Sequence, residues 1–185
     1  MKKELGVKNC TYPMPVTIVG ATVEGKPNYL TIAHVGIMDF SHVSVSMGKL
    51  HYTNAGIKLN GTFSVNIPSV DMVKETDYCG LVSGRKFDKS AVFETFYGKL
   101  GTAPMITRCP INMECRLAQT VDMPNHDVFV GEIVEAYCDE QLISEGDMVD
   151  FTRVHPILFA MYDKSYFELG ERFADAWSVG KELIK

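Results

Sequence analysis

Between Pro13 and Pro68 the chain is written almost entirely in the period of β-structure, and this restricts the fold more than any other feature of the sequence. Val16 to Val23 is a nearly unbroken run of β-branched and small residues, suited to a strand covered on both faces or set in a barrel wall. Glu24-Gly25-Lys26-Pro27 supplies a turn, after which Tyr29 to Ala33 returns as a second strand. Val43, Val45 and Met47 alternate with Ser44 and Ser46, and Phe63, Val65 and Ile67 repeat the same period of two. Farther on, Ile111, Met113, Cys115 and Leu117 fall on one strand face. Asp122 to Asp127 reads as a hairpin loop, Val128 to Tyr137 as the next strand and Ile157 to Tyr162 as a late one.

Helical signals are fewer. Thr53 is placed to cap a short helix over 54–60 that Gly61 closes. Asp71 is placed to cap another that reaches about Leu81 and ends at Ser83-Gly84, with a polar connector from Arg85 to Ser90. Phe173, Ala176, Trp177, Gly180 and Ile184 recur at helical spacing, which predicts an amphipathic C-terminal helix. Many strands, a few interposed helices and no regular βαβ alternation predict a mainly β, barrel-like fold. A length of 185 residues without repeat or linker suits one domain over 1–185.

The balance of 23 acidic against 18 basic residues gives a net charge of −5 and argues against a nucleic-acid partner, whose phosphates call for a basic face. Met1-Lys2-Lys3 opens like a signal peptide, but Glu4, Lys8 and Asn9 interrupt any apolar continuation, and no run approaches a membrane span. A soluble, cytoplasmic protein with no membrane partner is expected. The five cysteines (Cys10, Cys79, Cys109, Cys115 and Cys138) are scattered and odd in number, which suits a reducing compartment. Cys109 and Cys115 lack a neighbouring histidine for a familiar zinc pattern, so no metal site is assigned. Cys79, beside Leu81 and Val82 and without a resolving partner, reads as buried packing.

Several polar residues stand where a core would not demand them. Ser46, Lys49, His51 and Thr53 bring hydroxyls and cations to the start of a helix, the ingredients of an anion site, although a solvated loop is the plainer reading of such a cluster. Cys79-Gly80-Leu81-Val82-Ser83-Gly84-Arg85-Lys86-Phe87-Asp88-Lys89 sets two glycines, a serine and three cations at a helix end; its bland alternative is a Gly-capped end with Arg85 and Asp88 paired on the surface. His126 precedes a strand in Asn125-His126-Asp127-Val128-Phe129-Val130-Gly131-Glu132, and His155-Pro156-Ile157 precedes Tyr162, Tyr166 and Gly170.

Together with Pro13-Met14-Pro15-Val16-Thr17-Ile18-Val19-Gly20, Asn28-Tyr29-Leu30-Thr31-Ile32-Ala33 and Ser44 to Thr53, these motifs occur in one order from Tyr12 to Gly170. In that order the chain resembles the flavin reductase-like family, FMN-binding split β-barrels that include the flavoredoxins. The resemblance implies FMN as cofactor, NADH or NADPH as donor, and a homodimer with flavin near the subunit interface. It implies that Asn28, Thr31, Ile32 and Ala33 grip the polar edge of the ring, with Met47 beside it, and that Ser46, Lys49, His51 and Thr53 cradle the phosphate. Ser83, Arg85, Lys89 and His126 are implied to meet flavin or donor. The family commonly carries arginine where this chain has Lys49 and His51, and a lysine lacks the bidentate fork. The chemistry is the cofactor's own, so no catalytic side chain is assigned. Three functions are compatible with this pattern: an NAD(P)H-dependent flavin reductase, a flavoredoxin-like electron carrier with a protein redox partner, or a non-enzymatic flavin-binding module.

Overall fold

The computed structural model describes residues 1–146 and 148–184. Seven strands carry it: β1 (Thr17–Val23), β2 (Lys26–Ile32), β3 (Val35–Ile37), β4 (His42–Gly48), β5 (Thr62–Ile67), β6 (Ile111–Asp122) and β7 (His126–Cys138). They form one antiparallel sheet in the order β2-β1-β5-β6-β7-β4-β3, curled into a half-barrel. The tight β1–β2 turn is shorter than the sequence suggests. Val23 already pairs with Lys26, and Glu24 and Gly25 both take positive φ, which a two-residue hairpin of this hand requires.

The alternating residues do what their period demands. Val43, Val45 and Met47 of β4, with Phe63 and Val65 of β5, point into one core that also holds Val19, Leu30, Cys115 and Phe129. β6 departs from simple alternation, because Asn112 and Glu114 are buried on its other face. There the Glu114 side chain accepts the backbone N–H of Lys99 and Leu100 and the hydroxyl of Tyr137, so both of its buried oxygens are hydrogen-bonded.

Two helices, α1 (Thr53–Asn60) and α2 (Val73–Leu81), cover the sheet. Their starts correct two expectations. Thr53 is the first helical residue rather than the cap; the cap position is Tyr52, with no side-chain bond, and the Thr53 hydroxyl instead accepts the side-chain amide of Asn28. Asp71 lies in a 3-10 turn (Val70–Met72) ahead of α2, where Arg108 binds its carboxylate at 2.9 Å and also reaches Glu75.

A small sheet of Met14–Pro15 with β8 (Leu158–Ala160) and β9 (Ser165–Phe167) closes one end. The predicted C-terminal helix does not form. Only a 3-10 stretch, Val179–Leu183, occurs there, and Phe173 and Trp177 are 98% and 95% exposed. Their helical spacing has no partner face among the described residues, and a short helix without packing is not stable by itself.

Candidate functional site

The ends of β2, β4 and β7 converge on the C-terminal turns of α2 and on β8 and β9. They enclose a cavity of about 380 Å³. Thr31, Ile32 and Ala33 form one wall, Ser46 and His126 the next, and Phe159 and Tyr166 a third; His34, His51 and Asp77 complete the polar lining. A second cavity of about 190 Å³ shares His51, Gly80 and Leu81 with the first and runs on between Thr53, Ser83, Gly84 and Lys89.

The two cavities differ in chemistry. The larger is walled by strand backbone, apolar rings and three histidines. The smaller is cationic. Lys89 is 2% exposed and donates to the carbonyls of Tyr29 and Cys79 at 2.9 and 2.8 Å. The Cys79 carbonyl belongs to the last turn of α2, where a cation complements the helix dipole. An ammonium has three N–H groups, so one remains for a ligand, and no carboxylate is among its hydrogen-bond partners in the described residues. Burial pushes the Lys89 pKa down, the expected response of a buried charge without a counter-ion. His51, at the junction of the cavities, has its pKa lowered by burial, then by Lys89 and His126. His34 is lowered by burial and by His126, whose ring centroid is 6.2 Å away.

Close packing shapes the smaller cavity. Asn28, 5% exposed, donates its side-chain amide to Thr53 Oγ1 at 2.7 Å, which leaves the Thr53 O–H to be donated elsewhere. A Cβ on Gly84 would lie 2.1 Å from Asn28 Oδ1 and 2.6 Å from the Tyr52 ring, so the 83–89 loop can approach only with glycine there.

The structure sorts the residues singled out from the sequence. Thr31, Ile32, Ala33, Ser46, His51 and His126 line the larger cavity; His51, Thr53, Ser83 and Lys89 line the smaller. Four stand elsewhere. Lys49 pairs with Asp122 across the β6–β7 hairpin and lines neither cavity. The Met47 side chain is fully buried in the core, on the opposite strand face from Ser46. Asn28 positions Thr53 and does not line the larger cavity. Arg85 lies over the Tyr52 ring at 5.3 Å, and Asp88 pairs with Lys26 at 2.8 Å rather than with Arg85. Cys79 is buried, and desolvation pushes its thiol up to about 11.

Sequence reasoning missed His34, Tyr12 and Asp77. His34 follows directly on the strand segment Thr31–Ala33, and this proximity was the available signal. Tyr12 reaches His34 only through the fold, its Oη lying 2.7 Å from Nε2. Tyr166 donates to Asp77 at 2.8 Å across the cavity wall.

A sequence model described as "Flavin reductase like domain" matches residues 9–169. Over 99% of this chain and 100% of the other, the fold is similar to a flavoredoxin from Methanosarcina acetivorans at 45% identity, with a TM-score of 0.94. It is also similar to a flavoredoxin of Desulfovibrio vulgaris (Miyazaki F), at 32% identity over 97% and 100% of the two chains, with a TM-score of 0.90. An uncharacterized protein of Archaeoglobus fulgidus is 33% identical over 66% of this chain and 71% of its own.

Proposed function

The chain belongs to the flavin reductase-like domain family, and on that premise we propose that it holds FMN across the two joined cavities and takes reducing equivalents from NADH or NADPH. The observation that carries this reading is Lys89: a buried ammonium with a spare donor and no carboxylate partner among the described residues, in a cavity that shares His51, Gly80 and Leu81 with a larger one lined by Thr31–Ala33, His126, Phe159 and Tyr166. Buried charge calls for a counter-charge, and a phosphate ester supplies it. Thr53 and Ser83 add hydroxyl donors, and His51 closes the junction. Together the cavities fall within the size range of ligand sites, roughly 300–1,000 Å³.

FMN bound there would supply both hydride and one-electron chemistry. The chain's part is to orient the ring between Thr31–Ala33 and His126 and to cover it with Phe159 and Tyr166. The similarity to two flavoredoxins favours a second reading, in which FMN stays bound and electrons pass to a protein partner. We further propose a homodimer, supported by the exposed Phe173 and Trp177, and a cytoplasmic location, supported by five free cysteines.

Anaerobic mixing of the FMN-loaded protein with NADH or NADPH tests the proposal. Rapid bleaching of the flavin colour is expected. Bleaching only through a redox protein would favour the electron carrier, and no turnover with either would leave a flavin-binding module.

A further inference from the structure

The cavity has a second side. Beyond Tyr12 lies a separate recess of about 350 Å³, bounded by Cys10, Pro13, Tyr162, Asp163 and Phe167. Tyr12 stands in its wall, held edge-on between Phe159 and Tyr162 at centroid distances of 6.3 and 6.0 Å. Its hydroxyl passes inward to His34 Nε2 at 2.7 Å, and His34 lines the cofactor cavity beside His126. One hydrogen bond therefore joins a residue in the wall of the recess to a residue in the wall of the cavity. No protein partner for His34 Nδ1 is present among the described residues, and His34 is part of the cavity lining.

We propose that Tyr12 and His34 form a proton relay between the cofactor cavity and this outer recess. The proposal rests on the flavin reading. A nicotinamide donor delivers hydrogen and electrons together. A one-electron acceptor removes electrons alone, so each pair of electrons that leaves strands one proton in the cavity. His34 takes that proton at Nδ1, its Nε2 proton passes to Tyr12 Oη, and Tyr12 releases its hydroxyl proton to water in the recess. One proton enters, one leaves, and the pair ends with its hydrogen bond reversed; the reverse transfer, or exchange with solvent, restores it. Both groups are kept in the neutral forms this requires. Burial, then His126, lowers the His34 pKa, and burial, then Tyr162, raises that of Tyr12. His126 and His51 are the other titratable cavity groups near His34, and Asp77 lies on the opposite wall in its bond with Tyr166.

The plainer role for this contact is to pin the N-terminal segment to the β2–β3 connection. Two variants separate the roles. Tyr12→Phe removes the hydroxyl, whereas His34→Gln still accepts its hydrogen bond and cannot pass a proton through a ring. In each, the FMN-loaded protein is reduced with dithionite and reoxidised with ferricyanide, the rate being expressed per bound FMN. A relay predicts a fall of roughly tenfold or more in both, since positioned acid–base groups contribute factors of this order or larger. It also predicts that added imidazole restores much of the rate in His34→Ala. In the cofactor-free protein, Tyr12→Phe should shift the His34 ring tautomer seen by nitrogen NMR. Parent-like rates per bound FMN in both Tyr12→Phe and His34→Gln would overturn the relay while leaving the flavin reading intact. A parent chain that takes up no FMN would refute the flavin reading, and the relay with it.

Discussion

Replacing Lys89 by methionine should sharply reduce discrimination between FMN and riboflavin, which share a ring and differ in the phosphate. Lys89 is 2% exposed, and its ammonium has one N–H left after bonding the Tyr29 and Cys79 carbonyls. A charge-assisted hydrogen bond contributes about 1.5–3 kcal/mol. At 1.4 kcal/mol per factor of ten, its loss should weaken FMN roughly 10- to 150-fold. The substitution also leaves two buried carbonyls without their donor, which costs about 1–3 kcal/mol each, so the variant should melt at lower temperature. Riboflavin provides the control. Loss of structure weakens both ligands, whereas loss of the phosphate contact weakens FMN alone, so the ratio of the two dissociation constants isolates the effect. Fluorescence titration of both flavins against parent, Lys89→Met and Lys49→Met measures it. Lys49, paired with Asp122 outside the cavities, should leave the ratio near the parent value. A ratio preserved in Lys89→Met, or lost in Lys49→Met, would refute the assignment.

Gly84→Ala should destabilise the chain by about 1–3 kcal/mol, because its Cβ would collide with Asn28 Oδ1 at 2.1 Å and with Tyr52. A urea midpoint equal to the parent's would contradict that packing. Acid should weaken the cofactor-free fold through His34 and His51. Their folded pKa values lie below the ordinary histidine value, so the unfolded chain takes up protons first and stability falls as pH drops through the ordinary histidine range. Melting curves across that range should show the loss, reduced in His34→Gln. Cys10, exposed, should react rapidly with a thiol reagent, while Cys79, Cys109 and Cys115, all buried with raised pKa values, react only after unfolding. Fast labelling of more than two thiols in the native protein would be inconsistent with the core.

Strands were legible because burial on one face forces a period of two, and Val43–Met47 and Phe63–Ile67 keep it without interruption. Strand order was not legible, because β5 joins β6 across more than forty residues of intervening chain, and nothing local records that pairing. The same period could have separated Ser46 from Met47, since adjacent strand residues face opposite sides. The choice between Lys49 and Lys89 was beyond local reasoning. Both follow a glycine and stand near hydroxyl residues in the sequence, but Lys89 becomes a buried cation only by meeting the Tyr29 carbonyl sixty positions away. The C-terminal residues misled for the converse reason: Phe173 and Trp177 satisfy helical spacing, and both stay exposed with no receiving surface among the described residues.

The most direct measurement is the structure of the protein crystallised with FMN. The ring is expected between Thr31–Ala33 and His126, with a phosphate oxygen within hydrogen-bond distance of Lys89 Nζ and the Thr53 hydroxyl. A phosphate held by Lys49, or a flavin seated outside these two cavities, would contradict it.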